Sequence, residues 1–206
     1  ASIKAMAETL EDGAIGDKKV AQDFIGRILR DIQRMTVMVD DLLELSRIES
    51  GQEVIDIHPV NLFRIANESI SYVIGEINDG MPEIILNVTE EIMVMGQEEK
   101  ISQVFVNLIQ NASRFTRQNG LITITAKQYD NDIVEVSVSD TGMGIAPEHL
   151  AHVFERFYKV DRSRRDGGTG LGLSIVKHLV QAQGGEVFVD SVEGEGSTFK
   201  FTLPVA

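Results

Sequence analysis

The amino-acid sequence predicts an α+β protein. The expected architecture is a two-layer α/β sandwich, a mixed sheet with helices on one face, preceded by a long-helix hairpin that would pair into a dimeric four-helix bundle. Three observations predict it. Residues 17–50 form one unbroken helical pattern. Beyond a change of composition near Gln52, strand and helix patterns interleave. The last four strand patterns come as two hairpins, 121–129 with 133–139 and 186–191 with 197–203, which favours a mixed sheet over a doubly wound parallel one.

Taken in order, residues 2–10 read as helix, and Gly13 and Gly16 break the pattern. Asp17 is placed to cap the long helix and Gly51 to end it. Within that helix Ile25, Ile28, Ile32, Met35, Val39 and Leu42 recur at spacings of three and four, the seam of a coiled coil or bundle. Leu43, Leu45 and Ile48 widen the stripe. A rod of about 50 Å cannot bury such a stripe against a short preceding helix, so it calls for partner helices, most simply from a second copy of the chain. Residues 56–61 alternate as a strand ending in the helix cap Asn61, and 62–77 are an amphipathic helix. The triplet Asn78-Asp79-Gly80 is a turn, 83–95 alternate as strands, and 98–115 are a helix. A long irregular stretch, 140–172, precedes a helix over 173–183 and the final hairpin through Gly194 and Gly196.

Composition limits the function. The chain has 206 residues, 43% of them apolar, and a formal net charge of −13. That supports a packed core and argues against a nucleic-acid surface. The charge reverses locally: Arg156, Lys159, Arg162, Arg164 and Arg165 outnumber Glu155, Asp161 and Asp166. There are no cysteines, so there is no disulfide and no thiolate metal site, and a reducing compartment is favoured. No apolar run approaches the ~18 residues of a membrane span, and no signal peptide is visible. The chain reads as soluble.

Loops as long as 140–172 are usually functional or disordered. This one begins Asp140-Thr141-Gly142-Met143-Gly144-Ile145 directly after a strand, passes through Val153-Phe154-Glu155-Arg156-Phe157-Tyr158, and ends on arginines and glycines that lead into a helix. Glycines let backbone N–H groups approach a ligand, and a helix start adds donors and partial positive charge that suit phosphate. An acid at a strand end can accept from a ligand amino group. Asp-Thr-Gly also opens the aspartic-protease signature, which would need a second such triplet or a dimer and would leave the basic glycine loop unexplained. In the 98–115 helix, Asn107 and Asn111 sit one turn apart on one face. Two stacked amide oxygens can help hold a hydrated Mg²⁺ that borrows phosphate oxygens, or each can satisfy a core or loop hydrogen bond. Arg114 and Phe115 extend that face with a charge and a ring.

The sequence from Gln103 to Phe115, then DTGMGI, VFERFY, GGTGLGLSI and GEGSTFKFTLP, strongly resembles the catalytic and ATP-binding domain of bacterial sensor histidine kinases, within the ATPase superfamily of DNA gyrase B, MutL and the heat-shock chaperones. The preceding hairpin, ending LLELSRIESG, resembles the dimerisation and phosphotransfer domain of the same family. The resemblance implies a hairpin domain over 1–53 and a catalytic domain over 54–206, with ATP and Mg²⁺ as cofactors. It implies that Asn111 ligates the metal and that Asn107 stands where related ATPases carry a glutamate base, so that phosphate is transferred rather than ATP hydrolysed. Arg114 would reach the phosphates, Phe115 would lie beside the adenine, and Asp140 would accept from the adenine amino group. Gly142, Gly144 and Ile145 would wrap the base. Tyr158, Lys159, Arg162 and Arg164 would form the ATP lid, with Arg162 or Arg164 at the γ-phosphate and 159–166 mobile without ATP. Gly168, Thr169, Gly170, Leu171, Gly172 and Leu173 would make the phosphate cradle, and Thr198 would lie near the adenine. The run GTGLG is no dinucleotide fingerprint, because it follows a basic segment rather than a strand.

The resemblance also implies a phosphoacceptor histidine in a Ser-His-Glu-Leu-Arg-Thr-Pro-Leu-like motif just before a segment like Ala1-Ser2-Ile3-Lys4. None of His58, His149, His152 and His178 stands in such a motif. The expectation is a chain that begins inside the first helix of a protein-histidine kinase, binds Mg–ATP, and does not label itself. Its implied partners are a response regulator and a second copy through the hairpin. The parent would be cytoplasmic and membrane-anchored only through upstream segments. The competing classes are a non-catalytic nucleotide-binding interaction module and a hydrolytic ATPase.

Overall fold

The computed structural model describes residues 3–49, 56–76, 80–129, 132–160 and 168–206. Two helices open the chain, α1 (Ile3–Glu11) and α2 (Lys18–Glu49), joined by a short 3-10 turn at Ala14–Gly16. Asp17 caps α2 as its side chain predicts: Oδ1 accepts from the backbone N–H of Lys19 at 2.9 Å and of Val20 at 3.2 Å. Met6 and Ala21 are buried, whereas Ile25, Ile32, Met35, Val39 and Leu42 of the seam stay exposed and Ile28 is half-buried. Within one chain, α1 is too short to cover that stripe. Gly51 lies outside the described residues.

The chain continues through β1 (His58–Asn61), α3 (Leu62–Glu76), β2 (Glu83–Asn87), β3 (Met93–Gly96) and α4 (Glu98–Phe115). Next come β4 (Leu121–Gln128), β5 (Ile133–Asp140), the one-turn α5 (Pro147–Leu150), α6 (Gly172–Ala182), β6 (Val187–Val192) and β7 (Gly196–Pro204). Asn61 caps α3 through Oδ1, which accepts from the Arg64 N–H at 2.8 Å. The main sheet has the order β2-β4-β5-β7-β6; β2 runs parallel to β4 and every other pairing is antiparallel. The mixed sheet and the helical layer agree with the sequence. The strands expected within 83–95 are β2 and β3, and they lie in different sheets: β2 joins the main sheet, while β3 pairs with β1 in a separate two-stranded sheet. One expectation needs correction: 140–172 is not wholly irregular, since α5 and a series of turns organise its first half.

Period two explains the sheet. Val134, Val136 and Val138 of β5 point into the core beside Phe199, Phe201 and Leu203 of β7 and Ile122 and Ile124 of β4. The opposing face of α4 presents Ile101, Val104, Phe105, Leu108, Ile109 and Ala112. Phe105 meets Phe201 edge to face, with ring centroids 5.6 Å apart. Arg64 forks onto Glu98, with Nη1 at 2.7 Å from Oε1 and Nη2 at 2.6 Å from Oε2, tying α3 to the first turn of α4. These bonds hold the Glu98 carboxyl below its ordinary range. α6 packs against α4 and also against α2, so the N-terminal helices are seated on the sandwich rather than detached from it.

Candidate functional site

The end of the sandwich where β5 and α4 finish opens into a cavity of about 340 Å³. Asp140 occupies the next inward position of the row Val134-Val136-Val138, so the alternation that builds the core also buries its carboxylate. Oδ1 accepts from the Gly142 N–H at 2.8 Å. Burial pushes the Asp140 carboxyl above its usual value, and the N–H groups of Gly142 and Ser197 oppose the shift. The carboxylate faces the cavity.

Across from it, Asn107, Asn111 and Arg114 fall at i, i+4 and i+7 along α4, and all three line the cavity with Gln110 and Phe115. Asn107 Nδ2 is buried and, among the described residues, has no hydrogen-bond partner. An orphaned amide in a native site calls for a ligand or water. The glycine run forms the third wall. Gly168, Thr169, Gly170, Gly172 and Leu173 line the cavity, Gly170 has φ +78°, and among the described residues no side chain caps α6. A side chain at Gly168 would overlap the Arg114 guanidinium, so the absence of a Cβ there is what lets loop and arginine meet. Met143, Gly144, Ile145 and Val153 form an apolar side beside Tyr158, Lys159 and Val160.

Of the residues singled out in the sequence, the fold brings Asn107, Asn111, Arg114, Phe115, Asp140, Gly144, Ile145, Tyr158, Lys159, Gly168, Thr169, Gly170, Gly172 and Leu173 to one cavity. Three are placed differently. Thr198 lies on the opposite sheet face, its hydroxyl 3.0 Å from that of Ser139, and its neighbour Ser197 lines the cavity beside Asp140. The strand period makes a one-residue offset a change of face. The Leu171 side chain is wholly in the core, leaving only its backbone near the glycine loop. Gly142 does not line the cavity; its N–H holds Asp140, and a Cβ would crowd both that carboxylate and the Phe115 carbonyl. Arg162 and Arg164 lie outside the described residues, as does the expected mobile stretch beyond Val160.

Sequence reasoning missed Ser197, which the inward row Phe199-Phe201-Leu203 could have supplied. It also missed Val37 and Asp41 of α2, which complete the cavity from the N-terminal helices. Thr169 Oγ1 donates to Asp41 Oδ2 at 3.0 Å, an acidic side chain held against the glycine loop. Nothing local to residues 37–41 announces this, because it depends on where α2 docks.

Oxygen-bearing amides beside an arginine fit a divalent ion that shares its shell with phosphate oxygens and water. Among the described residues no group of three His, Cys, Asp or Glu side chains could cage a metal alone. No helix among them is long and apolar enough to cross a membrane.

Residues 96–206 match the family described as histidine kinase-, DNA gyrase B-, and HSP90-like ATPase, and residues 1–51 match the His kinase A (phospho-acceptor) domain. The sensor histidine kinase WalK of Bacillus subtilis is 34% identical over 98% of this chain and 34% of its own length. SenX3 of Mycobacterium tuberculosis, a sensor-like histidine kinase, is 34% identical over 97% of this chain and 48% of its own length. This chain therefore spans a third to a half of these relatives. Full-length ShkA in complex with AMPPNP superposes over 90% of this chain and 39% of its own, with a TM-score of 0.74 at 28% identity. On the match over 96–206, which holds most of the cavity wall, the chain belongs to the histidine kinase-, DNA gyrase B-, and HSP90-like ATPase family, in the branch of the sensor histidine kinases.

Proposed function

We propose that the chain binds Mg–ATP in this cavity and transfers the γ-phosphoryl group to a histidine that lies outside these 206 residues, for relay to an aspartate of a response regulator. The observation that carries the proposal is the convergence of a buried acceptor, Asp140, with Asn107, Asn111, Arg114 and the glycine loop around one cavity. Asp140 would accept from the adenine amino group, with Phe115 and Ile145 against the base. Arg114 and the N–H groups around Gly168 to Gly172 would receive phosphate oxygens. Asn111, with Asn107 one turn before it, would hold the Mg²⁺. The ion supplies neutralisation of phosphate charge. Asn107 carries an amide, which cannot take a proton from water, so hydrolysis has no general base there. Transfer breaks the bond between the γ-phosphorus and the bridging oxygen as the histidine nitrogen bonds to phosphorus, and ADP leaves. Arg162 or Arg164 would contact the γ-phosphate.

The hairpin over 1–53, which itself lacks the phosphoacceptor histidine, would dimerise through the exposed seam of α2 beside the catalytic part over 54–206. The parent protein would act at the cytoplasmic side of a membrane. The test is incubation with γ-labelled Mg–ATP, with and without a second polypeptide carrying the hairpin and its histidine. Acid-labile label is expected on the second polypeptide and none on this chain. Stable label on this chain alone refutes the division of labour, and steady phosphate release without transfer identifies a hydrolytic ATPase instead.

A further inference from the structure

We propose that His149 is a positioning residue for the cavity: it holds Tyr158, and through it the turn that carries Tyr158 and Lys159 into the cavity wall. The inference rests on the nucleotide reading of that cavity. His149 lies on α5, which follows a fixed segment: the Ile145 N–H donates to Ser191 Oγ at 2.8 Å, and α5 packs against β6. His149 Nδ1 and Tyr158 Oη share a hydrogen bond at 2.7 Å, and the phenol ring leans on His152, with centroids 5.4 Å apart. His152 is itself bound to Glu155 at 2.7 Å, which leaves His149 as the partner of the phenol oxygen.

The turn needs that restraint. Phe157 has φ 62°, the left-handed region, in a bulky and half-exposed residue with no glycine to ease it. Such a conformation persists only where its surroundings impose it. Two contacts impose it here. The Phe157 N–H donates to the Gly170 carbonyl at 2.9 Å, and a Cβ on Gly170 would come within 3.0 Å of Phe157. The other contact is the His149–Tyr158 bond. Loss of that tether lets the turn relax, and Tyr158 and Lys159 leave the wall.

The experiment compares wild type, H149A, H149N, Y158F and H149A/Y158F in two measurements: calorimetric titration with Mg–ADP, and amide hydrogen exchange at Phe157 in the nucleotide-free protein. H149A should weaken Mg–ADP binding about 3- to 10-fold, the range of one hydrogen bond, and should speed exchange at Phe157. Y158F should match it, and the double variant should lose no more than either, because both remove one bond. H149N, whose amide reaches the place of Nδ1, should recover affinity to within about twofold of wild type. Wild-type affinity and exchange in H149A, additive losses in the double variant, or no recovery in H149N would overturn the proposal. A wild type that binds no Mg–ADP overturns the nucleotide reading separately, and exchange at Phe157 then decides the tether by itself.

Discussion

Asp140→Asn separates binding from folding at this site. The substitution keeps the size of the side chain and one acceptor oxygen. The carboxylate now receives N–H groups from Gly142 and Ser197 and still faces the cavity. An asparagine must turn its NH₂ toward either a backbone donor or the ligand amino group, so one charge-assisted bond is lost. Such a bond contributes about 1.5–3 kcal/mol, or roughly a 10- to 150-fold weaker dissociation constant for ATP. Stability should move the other way or stay level. Burial raises the Asp140 carboxyl, so its protonated form is the one the fold favours. The stability this group contributes is complete below its ordinary value of 3.8 and is lost as pH rises through the raised folded value. At neutral pH the asparagine is free of that desolvation penalty, and urea midpoints of the variant should vary less between about pH 4 and pH 7 than those of wild type. Calorimetry with ATP and GTP measures the affinity, and preference for the adenine nucleotide should shrink. Unchanged ATP affinity in a folded D140N protein would refute the role assigned to this carboxylate.

Two other perturbations probe neighbouring parts. Asp41→Ala removes the acceptor of the Thr169 hydroxyl. One hydrogen bond contributes about 0.5–1.5 kcal/mol, so amide exchange at Thr169 and Leu171 in the nucleotide-free protein should speed about 3- to 10-fold; exchange unchanged from wild type contradicts a restraint of the glycine loop by α2. Gly144→Ala places a methyl against the Val192 carbonyl oxygen at φ +67°. It should cost about 2 kcal/mol or more and lower Tm by roughly 4–8 °C, measured by thermal unfolding; an unchanged Tm would show that the Gly144 turn tolerates a side chain.

Most of the site could be read in the chain because its signals are local. Asp140 continues an alternation begun at Val134, Asn107 and Asn111 stand a helical turn apart, and the glycines of 168–172 precede an apolar helix. Each side chain's direction follows from the backbone period of its own element, so the sequence alone determined the strand that ends in a buried acid, the polar edge of α4, the caps at Asp17 and Asn61, and the family. Tertiary structure decided whatever depends on partners far apart in the chain. It set β2 parallel to β4 and sent β3 to a separate sheet, because pairing is chosen by packing of the whole layer rather than by alternation within 83–95. It put Ser197 rather than Thr198 beside Asp140 through the register of β7 on β5. It laid α2 over the glycine loop, bringing Asp41 to Thr169, a contact that forms only when two apolar surfaces from opposite ends of the sequence bury each other.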